Sequence, residues 1–340
     1  MGTVSGVGGN AVLKKGVWFT GGQTLDEVVR LSRSMESGGI DSIWVADGYY
    51  GRDPFVTLAA VAEATVRVEL GTGVANPHLR HPTSLATSFA TLDELSLGRA
   101  ICGIGNGSRD QLGELGLKCA SPLGAMRESL GILDALLSGD GIDHDGTYFS
   151  AHVKRLAFRL TRDHIPLMLA AVGPKMCALA GELADGAFLQ YGSPEFISNS
   201  RRAVEVGFLN RANPPDDYTF AVATVMSVSE IGQESEAIDR VRATVGRLLT
   251  EPNAEELLER NGLNGAMAQR IRTGLAERGT RGMAENVTDD AVRCLAVTGN
   301  VDQCRGQLQA IVDAGANHIA VTVRLGEDEL TMEALNGVHE

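Results

Sequence analysis

The chain has 340 residues, 44% of them hydrophobic, and carries 30 Lys and Arg against 43 Asp and Glu for a net charge of −13. That length admits one large domain or two ordinary ones, and the acidic balance argues against a nucleic-acid partner, whose phosphates need clustered Lys and Arg. The five cysteines, Cys102, Cys119, Cys177, Cys294 and Cys304, are odd in number and form no C-x-x-C pair. They fit neither a disulfide framework nor a zinc site and read as reduced packing residues of a cytoplasmic protein.

Residues 1–15 (MGTVSGVGGNAVLKK) are glycine-rich and hold no apolar core of a secretory signal, while Gly6 breaks the myristoylation pattern. They read as a disordered lead-in. No apolar run reaches the about 18 residues that a membrane span requires.

Then a rhythm begins. Gly16 to Thr20 (GVWFT) predicts a first strand, and Leu25, Val28, Val29, Ser32 and Met35 recur at helical spacing up to Gly38-Gly39. A second strand, Asp41 to Ala46, ends at Asp47-Gly48-Tyr49-Tyr50 and precedes a helix from about Asp53 to Ala64. The third strand is Val68 to Val74, with a helix from Pro82 to Ser96 whose proline sits where a missing N–H matters least. The fourth, Ala100 to Gly105, ends at Asn106-Gly107-Ser108, with a helix from Ser121 to Leu137 beyond.

Residues 139–164 interrupt the pattern as a hairpin or loop insertion. Pro166 to Val172 is the fifth strand, Asp185 to Tyr191 the sixth and Phe220 to Val228 the seventh, with helices after Gly173-Pro174-Lys175 and from about Pro194 to Val206. Two or three helices over Ser235 to Ala296 are too long for a crossover and make a second insertion at about 250–296. A helix from Val301 to Ala314 and a strand from His318 to Val323 close the series, leaving 331–340 as a C-terminal tail.

Eight short, continuously apolar strands alternating with helices indicate a parallel sheet covered by helices. At this length the economical α/β solution is one (β/α)8 TIM barrel over 16–330 with two insertions, an open doubly wound sheet being the alternative. A barrel places its site at the C-terminal ends of the strands.

Several loops there carry usable chemistry. Gly103-x-Gly105 lacks the third glycine of a dinucleotide fingerprint, Ser108 standing in its place, and no helix is expected directly afterwards. Gly173-Pro174-Lys175 joins a strand end to a helix start, whose open N–H groups suit phosphate, or else is simply a tight turn. Asp47 can accept a ligand hydrogen bond, move a proton, or cap the next turn. Asn76 offers donor and acceptor to a heterocycle, and His78, His81, Tyr49 and Tyr50 are polar candidates or surface packing. No Cys, His and carboxylate set has metal spacing, and neither a Walker loop nor a G-x-S-x-G elbow is present.

LGTGVANPHLRHP (70–82), SFATLDELSLGRAICGIGNGS (88–108) and PLMLAAVGPKMCALAGELADGAF (166–188) resemble the luciferase-like superfamily of flavin- and deazaflavin-dependent oxidoreductases. The nearest branch is that of the coenzyme F420-dependent methylenetetrahydromethanopterin reductases, and the likeness extends to Asp47-x-Tyr49-x-x-Arg52-Asp53 and to LLERNGL (257–263). The resemblance implies a barrel with a ring system over its mouth and a non-proline cis peptide, here Gly73-Val74, as a backstop behind the ring. It implies that Asp47 lies near the ring, that Asn106, Gly107 and Ser108 line it, and that Ala171, Val172, Gly173, Pro174 and Lys175 bind phosphate; Asn76 stands beside them as a cofactor-binding candidate on its own donor and acceptor.

The activity so implied is hydride transfer between deazaflavin C5 and a small organic substrate, with Asp47, His78 and Tyr49 as candidate proton handlers and a homodimer as the expected assembly. An FMN-dependent monooxygenase is the alternative, since FMN shares the ring stack and first phosphate. Two departures, Gly48 for a common histidine and Trp18 for the reductases' first-strand glutamate, argue against pterin reduction and motivate a third reading, a non-catalytic cofactor-binding protein.

Overall fold

A computed structural model describes residues 12–211 and 217–339. Strands β1 (Lys14–Phe19), β2 (Ser42–Val45), β3 (Glu69–Thr72) and β4 (Ala100–Ile104) come first in the chain. A hairpin of β5 (Ile142–Asp145) and β6 (Ser150–Val153) follows, then β7 (Leu167–Ala170), β8 (Gly186–Gln190), β9 (Thr219–Ser229), β10 (Ala296–Asn300) and β11 (His318–Val321). Eight of these pair in parallel in the order β9-β11-β1-β2-β3-β4-β7-β8, and β8 returns to β9 to close the barrel. The fold is the expected (β/α)8 TIM barrel.

Proline sets where many of its helices start. Pro54, Pro82, Pro122, Pro174 and Pro194 each occupy the first turn of a helix, behind the caps Asp53, His81, Ser121, Gly173 and Ser193. The missing N–H falls among groups with no intrahelical partner, and each cap-proline pair therefore marks a loop leaving the strands' C-terminal ends.

Inside the barrel two large rings fill the space that glycines leave. Trp44 packs against Phe188 with ring centroids 4.9 Å apart, and a Cβ on Gly71 would lie 2.5 Å from the Trp44 ring. Trp44 Nε1 donates to Ser42 Oγ at 2.9 Å, and that hydroxyl meets His318 Nε2 at 2.7 Å. Burial, with Lys14 adding to it, pushes His318 down to about 3, so this core imidazole is neutral.

Four expectations need correction. The first strand begins at Lys14, inside the supposed lead-in, whose residues 1–11 lie outside the described ones. A short helix, Arg109–Glu114, does start directly after Ser108, capped by the Ser108 hydroxyl, although six residues give it too little apolar periodicity to read. β10 is an additional strand where a helix-to-helix junction was expected: β9 is long enough to pair with β11 through Ala221–Thr224 and with β10 through Val225–Ser229. The tail holds a helix, Asp328–Asn336, with Ala334 and Leu335 buried. The stretch 139–164 contains the β5–β6 hairpin, and 250–296 contains helices Ala254–Arg260, Ala266–Glu285 and Asp289–Leu295. Among the described residues no helix is long and apolar enough to cross a membrane.

Candidate active site

At the C-terminal end of β3 the Gly73-Val74 peptide is cis, at the position the resemblance implied. Trp18 lies beneath it: the indole is 4% exposed and its Nε1 donates to the Gly73 carbonyl at 2.9 Å. Trp18 is thus a buried support for the β3 bulge, packed edge-on against Phe188 and Tyr191. A Cβ on Gly105 would sit 2.7 Å from Val74 Cγ2 and 2.8 Å from Ala170 Cβ, so the bulge, the end of β4 and the end of β7 meet through glycine.

Above this floor a polar clamp ties three loops together. Asn76, 1% exposed, donates from Nδ2 to Tyr49 Oη at 3.0 Å and to the Asn106 carbonyl at 2.7 Å, while its Oδ1 accepts the His78 backbone N–H at 2.8 Å. Tyr49 Oη in turn donates to the Ser108 carbonyl at 3.2 Å. The phenol already has both a donor and an acceptor partner, and burial pushes its pKa up. Tyr49 holds φ at +53°, a region costly for a residue with a Cβ, which the two side-chain bonds help to hold. Gly107 sits under the clamp with φ +61°, and a Cβ there would strike the Tyr49 hydroxyl. In this geometry Tyr49 and Asn76 have their polar atoms committed to protein partners, so both shape the site rather than present free groups to a ligand.

The groups short of a hydrogen-bond partner lie beside them. Asp47, on the loop after β2, has a side chain 8% exposed, and its Oδ2 has no hydrogen-bond partner. Arg80 Nε forms an ion pair with that oxygen at 3.7 Å, too long for a hydrogen bond, and has no hydrogen-bond partner of its own; Arg80 Nη2 pairs with Asp53 at 2.7 Å. Burial raises the Asp47 pKa, more than Arg80 lowers it. His78 Nε2 is likewise buried without a partner, and burial keeps that imidazole's pKa low, hence neutral. Phe149 from the β5–β6 hairpin packs on both His78, at 6.0 Å between ring centroids, and His81. His81 caps the helix Pro82–Leu95 through Nδ1, as a helix start rather than a catalytic group.

Across β4 and β7 lies the Ala171–Lys175 turn. Gly173 caps helix Pro174–Leu183 without a side chain, Pro174 and Lys175 are exposed, and Ala171 is buried. Sequence reasoning missed a second cation there: Arg260, from the LLERNGL segment, donates from Nη1 to the Val172 carbonyl at 3.2 Å and passes 3.9 Å from a Cβ on Gly173. Open N–H groups, a helix N-terminus and two cations make this turn suited to phosphate.

A (β/α)8 barrel with a cis peptide at the end of its third strand, a polar mouth and a cationic βα turn is the class the fold and site define, and the comparisons with known proteins give it a family. Residues 7–318 match the luciferase-like monooxygenase family, and the chain belongs to it. It is 26% identical over 316 residues to a 5,10-methylenetetrahydromethanopterin reductase of Methanolobus tindarius, covering 92% of this chain and 95% of that one. It is 26% identical over 312 residues to an F420-dependent glucose-6-phosphate dehydrogenase of Amycolatopsis mediterranei, covering 86% and 87%. The coenzyme F420-dependent tetrahydromethanopterin reductase structure from Methanopyrus kandleri superposes with a TM-score of 0.85 at 24% identity, over 96% of this chain and 98% of that one, a likeness of fold.

Proposed function

We propose that the protein is an F420-dependent oxidoreductase acting on a small organic substrate. The observation that carries this reading is the pair of buried polar atoms without a hydrogen-bond partner on the loops after β2 and β3, Asp47 Oδ2, ion-paired to Arg80, and His78 Nε2, in the segments that flank the Gly73-Val74 bulge. An acceptor and a neutral imidazole nitrogen suit the edge of a heterocycle that carries N–H and C=O groups, because an unmatched buried polar group costs about 1–3 kcal/mol until a ligand satisfies it. The relatives named as F420-dependent, matched along most of their length, favour the deazaflavin over FMN.

When bound, F420 supplies a two-electron hydride donor or acceptor at C5. The chain's own residues then have separable tasks. Val74 and the bulge back the ring, with Trp18 behind Gly73. Asn106, Gly107 and Ser108 wall one side, held by Tyr49 and Asn76. Lys175, Arg260 and the Gly173 turn hold the phosphate. Asp47 accepts a hydrogen bond from the ligand and, with its raised pKa, is the foremost group for moving a proton; His78, neutral, is the next.

An FMN-dependent monooxygenase is the second reading, favoured by the family's own description. Titration of the purified protein with each cofactor, followed by fluorescence, separates the two. Saturable F420 binding with weak or absent FMN binding is expected; tight FMN binding without F420 binding overturns the proposal.

A further inference from the structure

The second insertion contributes nothing to barrel closure, yet one of its side chains reaches the mouth. Arg272, on helix Ala266–Glu285, donates from Nε to the Thr250 carbonyl at 3.1 Å and from Nη2 to the Glu251 carbonyl at 3.2 Å. The same guanidinium pairs with both oxygens of Glu255 at 2.7 and 2.8 Å. A planar fork bound on two sides fixes the turn that carries Glu251. From that turn Glu251 Oε2 accepts the Ser108 hydroxyl at 2.9 Å, across 143 positions of sequence.

Ser108 is where the wall's bonds converge. Its Oγ also accepts the Gln111 N–H at 3.2 Å, and its carbonyl accepts the Tyr49 hydroxyl. The Glu251 carboxylate is half-buried, and among the described residues no cation pairs with it. Burial, and then the like charge of Asp110, disfavour its ionised form, with the Ser108 bond opposing them. Tyr49 is the other titratable group facing it, and Arg272 is spent on Glu255 and on backbone. A half-buried carboxylate in such company is not an ion-pair member. Its use is as an acceptor that orients Ser108.

We propose that Glu251 is a positioning residue of the site, which through Ser108 holds the Asn106–Ser108 wall in its ligand-binding arrangement and so makes the second insertion a working part of the mouth. The proposal rests on the reading of that mouth as a cofactor site.

Two measurements on the full chain test it. Hydrogen exchange on the ligand-free protein reads the wall directly: Glu251→Ala should speed exchange over 105–112, while Glu251→Gln, whose amide oxygen still accepts from Ser108, should restore protection. Cofactor titration should show Kd rising about tenfold in Glu251→Ala, the loss of one hydrogen bond to a charged acceptor, and returning toward wild type in Glu251→Gln. Unchanged exchange in Glu251→Ala, unchanged Kd despite faster exchange, or failure of Glu251→Gln to rescue each overturns the proposal. If wild type takes FMN and not F420, the cofactor reading fails by itself, and the same comparison is run with FMN on the same wall.

Discussion

Asp47→Asn should strengthen the fold and weaken the site, and the opposite signs make it diagnostic. Burial raises the Asp47 pKa despite Arg80 3.7 Å away. A carboxyl whose folded pKa lies above its unfolded value binds its proton more tightly when folded, so it lowers stability as pH rises from the ordinary carboxylate range through the folded pKa. Asn removes that loss, and Arg80 keeps its Asp53 partner at 2.7 Å, so no new charge is orphaned. At this chain length each kcal/mol regained raises Tm by on the order of 1–3 °C. Cofactor affinity should move the other way: a ligand hydrogen bond to a charged acceptor is worth about 1.5–3 kcal/mol, so Kd should rise about 10- to 100-fold. In wild type the affinity should also fall as pH drops through the raised Asp47 pKa, a dependence that Asp47→Asn should flatten. Thermal melts of the ligand-free protein and fluorescence titrations with F420, each from pH 5 to 8, measure both. A variant that binds as tightly as wild type, or that melts several degrees lower at neutral pH, refutes the reasoning that Asp47 is held for a ligand.

Three further outcomes are expected. Gly107→Ala should lower Tm by several degrees and loosen the cofactor, since φ of +61° costs an L side chain about 1–2 kcal/mol and the Cβ displaces Tyr49. Gly113→Ala, with open space around its Cβ, is the control that should do neither. Removing Lys175 and Arg260 together should raise Kd for a phosphate-bearing cofactor at least about tenfold while leaving the dephosphorylated analogue unchanged; an equal loss for both would contradict the assignment of the turn. His318, pushed from an ordinary 6.5 to about 3, stays neutral in the fold while the unfolded chain protonates, so wild-type stability should fall about 1.4 kcal/mol per pH unit below about 6.5. Urea unfolding of His318→Gln between pH 8 and 5 should lose that slope, and an unchanged slope would place its origin elsewhere.

The barrel was legible because its strands are buried on both faces and therefore read as unbroken apolar runs, and because a capping residue followed by proline marks five of its helices. What escaped reading lacks those signals. Helix Arg109–Glu114 is held by its Ser108 cap, and β10 (AVTGN) by the surplus length of β9, a partner that no local pattern announces.

The candidate site divides along the same line. Asp47 and the Gly173 turn were legible because each sits where a strand ends, and position alone nominates them; the Gly73-Val74 cis peptide was legible only through the family resemblance. Arg260 and Glu251 were not, since they make their contacts across 88 and 143 residues, Arg260 from a helix end and Glu251 from a turn between helices whose own sequence announces no partner. Tyr49 and Asn76 show the converse: their chemistry drew attention, but donors and acceptors have to be counted before a role can be given. Asn76 has three hydrogen bonds to protein and Tyr49 two, whereas Asp47 and His78 each keep one buried atom with none. In a low-dielectric mouth that unmatched remainder is costly, and a bound ligand is what can offset it. On the proposed reading, the two groups of this mouth left short of a hydrogen bond are the ones a ligand would meet, and Tyr49 and Asn76 are the frame that holds the loops around them.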